Sequence, residues 1–276
     1  MERLKERQRW KKYVKNRWIV AGSILFLLLV LFAIFVPVLS PYSYTEQNVS
    51  VQNQSASLAH LFGTDKFGRD IFVRVWYGTR ISLIVGMVSM LINGALGIIY
   101  GAVAGYAGRN VDILMMRAAD ILDAIPSLLY VILIMLVMGA GVKSVIFGIC
   151  ISGWIETARI VRGEVMRLRN QEFILAAKLA GAGTFHILTR HLLPNAMGPI
   201  LVSLTFLVPK AIFTEAFLSF VGVGIAAPAA SLGTLIQDAR SQMQVYPGQM
   251  LYPMAVLCIL ILSVHLIGTG LEQEDV

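Results

Sequence analysis

The chain has 276 residues, of which 57% are hydrophobic and only 14% carry a charge. Water-soluble domains carry a charge on about a quarter of their residues, so this composition excludes an ordinary soluble protein. It also excludes a disordered chain, which would be poor in apolar residues. The two cysteines lie in apolar segments and do not indicate a disulfide framework. The class that remains is a protein that crosses a membrane several times and has a net charge of +7.

Six segments are apolar over a length that can cross a bilayer as a helix, which takes about 20 residues. An even number of spans places both ends of the chain on the same side of the membrane. The predicted spans are Trp18–Leu39, Ile81–Gly105, Ile121–Met138, Val142–Ile160, Met197–Val221 and Met250–Gly270. The sequence therefore predicts an all-α integral membrane protein with six transmembrane helices.

The distribution of lysine and arginine predicts the orientation of these spans. Eight basic residues lie between Arg3 and Arg17, directly before the first span. With this end in the cytoplasm, the loops 106–111 and 161–194 are cytoplasmic as well, and they contain a further six basic residues. Because cytoplasmic loops carry an excess of lysine and arginine, we expect both termini to be cytoplasmic. The positive charge is thus explained by membrane topology, and we expect no nucleic acid as a partner.

The external loop between the first two spans contains turn-forming and charged residues. Gly63 and Gly68 permit tight turns, and Thr64 and Asp65 can hydrogen-bond the nearby backbone and cap a helix. The stretch Asp70–Tyr77 then predicts a short helix suited to the membrane interface. From the residues alone, a capped connector that leads into the second span is the favoured interpretation. The extracytoplasmic motif comprises His60, Gly63, Thr64, Asp65, Gly68, Arg69 and Asp70.

The cytoplasmic loop 161–194 contains an amphipathic segment that is followed by small residues. Apolar and charged residues alternate with helical spacing over 164–179. Gly181 and Gly183 can end this helix and turn the chain, and Pro194 can begin the next helix. Such a helix could dock into a groove on a soluble partner or pack on its own membrane domain. The residues alone leave both possibilities open.

A glycine-rich external segment follows the fifth span over residues 222–249. It contains Gly222, Gly224 and Gly233, together with Pro228. Irregular backbone at membrane depth has to be buried in protein or line water. We therefore expect this segment to cap the membrane domain or to re-enter it.

Two groups of charged residues lie in or near the predicted spans. Arg117, Asp120 and Asp123 recur every three residues, on one helical face at the cytoplasmic end of the third span. They could contact a companion subunit or the solute exit, or form ion pairs that reach the lipid headgroups. Lys210 and Glu215 lie within the fifth span on different helical faces. They could face a solute path or pair with a neighbouring subunit.

Four stretches of this chain resemble the permease subunits of bacterial ATP-driven importers that use a solute-binding protein. The resemblance is closest to the second permease of oligopeptide and dipeptide systems. The stretches are His60–Asp70 with Gly78-x-Arg80, Arg117-x-x-Asp120-x-x-x-x-Ile125-Pro126, Ala176-Ala177-x-x-x-Gly181 with Leu193-Pro194, and Phe217-Leu218-Ser219-Phe220-x-Gly222-x-Gly224. The third stretch departs from the general pattern at Leu175, where glutamate is usual, and Glu172 can supply part of that charge. Histidine at the position of His191 is common in the peptide-importing branch of this family.

The resemblance implies the fold of a type I ABC importer permease and a division of labour among subunits. This chain would pair with a paralogous permease in a heterodimer and receive solute from an extracytoplasmic binding protein. It would couple to two ATPase subunits that hold ATP and Mg²⁺, and it would bind no cofactor or metal itself. The coupling residues would be Glu172, Leu175, Ala176, Ala177, Lys178, Gly181, Ala182 and Pro194. The candidates for the permease interface or the path are Arg117, Asp120, Asp123, Pro126, Lys210 and Glu215.

The resulting prediction is a multi-pass protein of the bacterial cytoplasmic membrane, surrounded by lipid, that imports oligopeptides or dipeptides. A permease for nickel or metal chelates is the alternative within the family. A membrane-embedded enzyme is disfavoured because no catalytic set accompanies the paired carboxylates. A secondary carrier is disfavoured because no internal repeat is visible. The predicted parts are a basic N-terminus over 1–17, the first span and its loop over 18–80, and a core over 81–276 with the coupling helix at about 164–190.

Overall fold

The computed structural model describes residues 16–226 and 229–275, and regular structure within these ranges is helical apart from an isolated bridge between Thr64 and Asp70. Most of the basic N-terminal segment and Pro228 lie outside the described residues. The longer helices, numbered in chain order, are α1 Arg17–Leu39, α2 Ile71–Tyr106, α3 Arg109–Asp123, α4 Ser127–Met138, α5 Val142–Ser152, α6 Ile155–Leu168, α7 Glu172–Leu179, α8 Met197–Val221, α9 Leu232–Ala239 and α10 Gly248–Asp275.

The number of apolar helices agrees with the predicted spans. Among the described residues, five helices are long and apolar enough to cross a membrane, or six if the bent pair α3 and α4 forms one span. α8 has the predicted bounds, and α1 begins one residue earlier than predicted. α5 and α6 together form a single candidate span, Val142–Leu168.

The second span begins at Ile71 and not at Ile81. α2 is unbroken over 36 residues, so the separate interfacial helix predicted over Asp70–Tyr77 is wrong. Its apolar side chains are buried in the protein and do not lie on a membrane surface, as Trp76, only 7% exposed, illustrates. The packing of α1, α9 and α10 around this end of α2 supplies the apolar surroundings.

The prediction that the third span is one continuous helix over Ile121–Met138 is wrong. α3 and α4 are bent by 72° across residues 124–126. Pro126 explains the break, because proline has no amide hydrogen and disfavours the helical conformation in the residue before it. The hydroxyl of Tyr130 donates to the carbonyl oxygen of Leu122 at 2.9 Å and so satisfies one acceptor at the break.

A row of glycines allows α2 and α6 to pack very closely. Gly97, Gly101 and Gly105 recur every four residues and lie on one face of α2. A Cβ atom on Gly101 would lie 2.3 Å from the carbonyl oxygen of Ala158 on α6. Small residues at such contacts are the usual means of association between helices in membranes, where burial from lipid supplies little driving force.

The external segment after α8 caps the membrane domain, as the sequence predicts. Gly222 adopts φ +92° and ends α8. Ser231 and Thr234 then form a reciprocal capping box at the start of α9. Leu232 and Leu235 of α9 belong to the same buried cluster as residues of α2, α8 and α10.

Candidate functional sites

The extracytoplasmic motif forms a hydrogen-bonded loop in front of α2. Gly63 and Gly68 have φ of +74° and +71°, which confirms the predicted turns. Nδ1 of His60 lies 2.8 Å from Oδ2 of Asp70. The other carboxylate oxygen of Asp70 accepts a hydrogen bond from the amide of Val73 and caps α2.

The same motif joins the external loop to α9 by ion pairs. Asp65 accepts a hydrogen bond from Nε of Arg69 at 2.6 Å. Arg69 and Arg74 both contact Oδ2 of Asp238, at 3.1 and 3.4 Å. The predicted hydrogen bonds of Thr64 and Asp65 to the nearby backbone are confirmed, since Asp65 accepts from the amides of Phe67 and Arg69 and Thr64 accepts from the amide of Gln54. Their predicted helix-capping role is wrong, because Asp70 is the cap. The polar groups of the motif are thus bonded to one another and hold the loop on the bundle.

On the side predicted to be cytoplasmic, α7 forms an exposed surface. Gln171 is extended and separates α7 from α6, so the continuous helix predicted over 164–179 is wrong. Ile174 is fully buried and packs against the ends of α2 and α6. Leu175 and Leu179 point away from this cluster and are 50% and 90% exposed.

Gly181 ends α7 in a Schellman motif. It has φ +82°, and its amide donates to the carbonyl of Lys178 while the amide of Ala182 donates to the carbonyl of Ala177. A Cβ atom on Gly181 would meet no atom within 4 Å. Glycine at this position therefore serves the backbone conformation of the turn and leaves an open surface beside it.

An open groove of about 710 Å³ lies beside α7. Its lining is mostly small residues, with an aromatic side chain and two histidines, namely Phe173, Ala176, Ala177, Ala180, Gly181, Ala182, Gly183, His186 and His191. Glu172 is exposed in the first turn of α7, where a negative charge is favourable. The ammonium of Lys178 lies 5.6 Å from the ring centre of Tyr106. Pro194 lies in the short helix Leu193–Asn195, before α8.

Two groups of ion pairs lie on the helices α3, α6 and α8. Nζ of Lys210 donates to Glu156 at 2.8 Å. Arg159, one helical turn along α6 from Glu156, donates to Asp123 at 2.8 Å and to Asp120 at 3.0 Å. The structure therefore brings together residues that the sequence places in three separate spans.

We call these residues, together with Arg117 of α3, the charged strip. The guanidinium group of Arg117 lies 3.6 Å from the carboxylate of Asp120. Sequence reasoning missed Glu156 and Arg159, although both lie inside the fourth predicted span and intramembrane charges indicate function by default. The charged strip is Lys210, Glu156, Arg159, Asp123, Asp120 and Arg117.

The charged strip is exposed in the isolated chain. The side chains of Lys210 and Glu156 are 61% and 64% exposed. Placing a charge at the centre of a lipid-facing helix costs about 3 kcal/mol. α1, in contrast, has no charged residue over Trp18–Leu39 and exposes leucine and phenylalanine. The strip is therefore suited to water or another subunit, and α1 is suited to lipid.

Glu215 lies in a different environment from Lys210, and the two occupy different faces of α8, as predicted. Its carboxylate is fully buried and accepts hydrogen bonds from Ser82 at 2.9 Å and from Ser219 at 2.8 Å. The bond to Ser82 joins α8 to α2. In this conformation Glu215 makes a contact between helices and does not reach the exposed face.

This arrangement of bent and closely packed spans defines the fold of a transport permease. The MetNI methionine ABC transporter, solved in inward-facing conformations, has the same fold with a TM-score of 0.61. The likeness covers 73% of this chain and 96% of that chain at 17% sequence identity, so it shows the fold alone.

Family models identify the chain more closely. Residues 97–273 match the binding-protein-dependent transport system inner membrane component, and residues 7–58 match the N-terminal transmembrane domain of oligopeptide transport permease C. The chain belongs to the family of binding-protein-dependent transport system inner membrane components. It is a permease subunit of an ATP-driven importer and not an enzyme, and importers of this family also contain ATPase and binding-protein subunits.

Relatives match this chain over nearly its whole length. The oligopeptide transport system permease protein of Bacillus subtilis is 44% identical over 268 residues, 96% of this chain and 88% of the relative. The dipeptide transport system permease protein of the same organism is 43% identical over 96% of this chain and 83% of the relative. The oligopeptide transport system permease protein of Escherichia coli is 38% identical over 95% of this chain and 88% of the relative.

Proposed function

We propose that this chain imports oligopeptides or dipeptides as one half of a heterodimer with a paralogous permease. Two ATPase subunits, which hold ATP and Mg²⁺, drive the cycle from the cytoplasmic side. The names of the most similar relatives, oligopeptide and dipeptide permeases, support the substrate class. The observation that carries the coupling role is the exposure of α7 and the turn after it.

Large apolar side chains are exposed around the groove beside α7. Leu179 is 90% exposed and Phe185 is 80% exposed. Burying one such side chain stabilises a complex by roughly 2 kcal/mol, so their clustering favours contact with another protein. A short helix next to small residues fits a groove on a soluble partner. The ATPase subunits are the partners on this side that the family requires.

The attachment of α7 suits the transmission of movement. Ile174 is buried in a cluster with Val165 of α6 and Ala102 of α2. A displacement of α7 by the ATPases would therefore act on these two closely packed helices. ATP binding would favour an outward-facing state of the permease pair, and hydrolysis would return the inward-facing state, because each state binds the ATPases differently.

The variant Leu179→Glu tests this proposal in the complete complex in liposomes. Because Leu179 is exposed, a charge there should leave the fold of the chain intact and disrupt only the contact with the ATPase. We expect binding-protein-stimulated ATP hydrolysis and the uptake of labelled peptide to fall at least tenfold.

Leu58→Glu is the matched control, because Leu58 is 99% exposed in the external loop. That variant should retain stimulated hydrolysis. Normal stimulation in Leu179→Glu would contradict the coupling role of α7. Uptake of a nickel chelate and of no peptide by the unmodified complex would contradict the substrate class.

A further inference from the structure

We propose that the charged strip lines the translocation path and binds the charged ends of a peptide as it passes. The inference rests on the proposed function, since it takes a peptide as the solute. A peptide with free ends carries an ammonium group and a carboxylate group. The strip presents groups of both signs on an exposed face that α3, α6 and α8 form together.

The first ion pair of the strip lies within two of the predicted spans. Lys210 is 13 residues from Met197 at the start of α8, which corresponds to about 20 Å. Glu156 is four residues before Ile160, where the fourth predicted span ends, which corresponds to about 6 Å. Charged groups within a span need water or protein around them.

The exposed face of α8 differs from the lipid-facing surface of α1. Lys210 lies at its centre, between Phe206 and Phe213, and Phe213 is 60% exposed. The middle of α1 exposes Leu27 to 57% and Leu28 to 47% and has no charge nearby in the sequence. Lipid can cover α1 without cost, whereas a charge in the middle of α8 favours an aqueous surface.

The order of charges in the strip suits a zwitterionic solute. Positive and negative groups alternate from Lys210 through Glu156 and Arg159 to Asp123, and each has a partner. Glu156 and Arg159 are one helical turn apart, about 5 Å along α6. The ends of an extended dipeptide are separated by about 7 Å, a comparable distance. The ammonium and carboxylate of a peptide can therefore replace partners within the strip without leaving a charge unpaired.

A cavity of about 510 Å³ continues from the Lys210–Glu156 pair towards the cytoplasmic ends of α8 and α10. Most of its wall is apolar, the hydroxyls of Thr157 and Ser203 bond to each other at 3.1 Å, and Glu272 lies at its cytoplasmic end. The cavity forms a route by which a peptide can leave the strip towards the cytoplasm.

The accessibility of single cysteines in the assembled complex tests the location of the strip. In a chain with Cys150→Ala and Cys258→Ala, the variants Lys210→Cys and Glu156→Cys are compared with Leu27→Cys in inside-out vesicles. A charged, membrane-impermeant thiosulfonate reagent should modify the first two variants at least ten times faster than Leu27→Cys. A membrane-soluble maleimide should modify Leu27→Cys readily. Equally slow modification by the charged reagent at all three positions would overturn the proposal.

The double variant Lys210→Glu with Glu156→Lys tests the binding of peptide ends. It retains an ion pair but reverses its direction, so a purely structural pair would tolerate the exchange. We expect at least a fivefold loss of tetrapeptide uptake, with co-purification of all subunits as the control for assembly. Uptake at the wild-type rate would overturn the proposal.

The two proposals fail in distinguishable ways. If the unmodified complex takes up no peptide, the proposed function is wrong. If it takes up peptide but the charged reagent does not reach position 210, only the inference about the strip is wrong. The labelling result decides the inference even if the exchanged chain does not assemble.

Discussion

At Gly68 the chain passes Asn48 so closely that no side chain fits. A Cβ atom there would lie 1.8 Å from the carbonyl oxygen of Asn48, and φ is +71°. Gly68→Ala combines a steric clash with a backbone conformation that alanine disfavours, so it should lower the free energy of unfolding by about 3 kcal/mol. Gly139→Ala is the control, since φ is +84° there but no atom lies within 4 Å, and it should cost about 1 kcal/mol. Equal losses of Tm in detergent would contradict this account.

Single residues were predictable where the signal is local. Gly63 and Gly68 mark turns in the sequence and adopt positive φ. The role of Asp65 was not predictable, because the cluster it shares with Arg69 includes Asp238, which is 169 residues further along the chain than Arg69. Aspartate caps helices and pairs with arginine equally well, and only the fold decides between these roles.

At the level of helices, one methyl group added at the contact between α2 and α6 should lower the stability of the protein. Gly101→Ala places a Cβ atom 2.3 Å from the carbonyl oxygen of Ala158, so the two helices would have to move apart. We expect the free energy of unfolding to fall by about 2 kcal/mol. The measurement is thermal unfolding of the purified permease complex.

Gly163→Ala provides the control on α6. Gly163 has no neighbour within 4 Å, and alanine favours the helix by up to about 1 kcal/mol, so this variant should be neutral or stabilising. If Gly101→Ala is as stable as Gly163→Ala, the glycine row does not determine the packing of α2 against α6.

Helix types were predictable from the apolar segments, whereas several helix bounds were not. The apolar run Ile121–Met138 indicates a span by hydropathy, but Pro126 divides it, and hydropathy alone does not register that break. The start of α2 at Ile71 depends on burial by other helices, since a short apolar helix before a span also suits a membrane surface.

Across the whole molecule, the two candidate sites differ in how far the sequence could predict them. The surface around α7 is formed by consecutive residues, so alanines and glycines near Gly181 marked it directly. The charged strip is formed by α3, α6 and α8, and the partners Arg159 and Asp123 lie 36 residues apart. Its members were visible as charges in or near the predicted spans, but their contacts depend on how α3, α6 and α8 lie against one another in the fold.

The extracytoplasmic ion pairs connect three parts of the molecule, namely the external loop, α2 and α9. Arg69 and Arg74 share the carboxylates of Asp65 and Asp238, and the side chains of Arg74 and Asp65 are 4% and 14% exposed. Asp65→Asn should destabilise the chain more than Asp238→Asn, whose side chain is 38% exposed. We expect the free energy of unfolding to fall by about 3 kcal/mol in Asp65→Asn and by about 1 kcal/mol in Asp238→Asn, because water screens the more exposed carboxylate.

The double variant Asp65→Asn with Asp238→Asn tests whether this cluster acts as one unit. In either single variant the remaining carboxylate still neutralises part of the charge of Arg69 and Arg74. In the double variant two largely buried guanidinium groups face each other without either carboxylate, so the loss should exceed the sum of the single losses by about 1 kcal/mol or more. Thermal unfolding of all four proteins in detergent gives this coupling, with hydrogen exchange over residues 40–70 as a local readout. Additive losses would mean that the two aspartates stabilise the external loop and α9 independently.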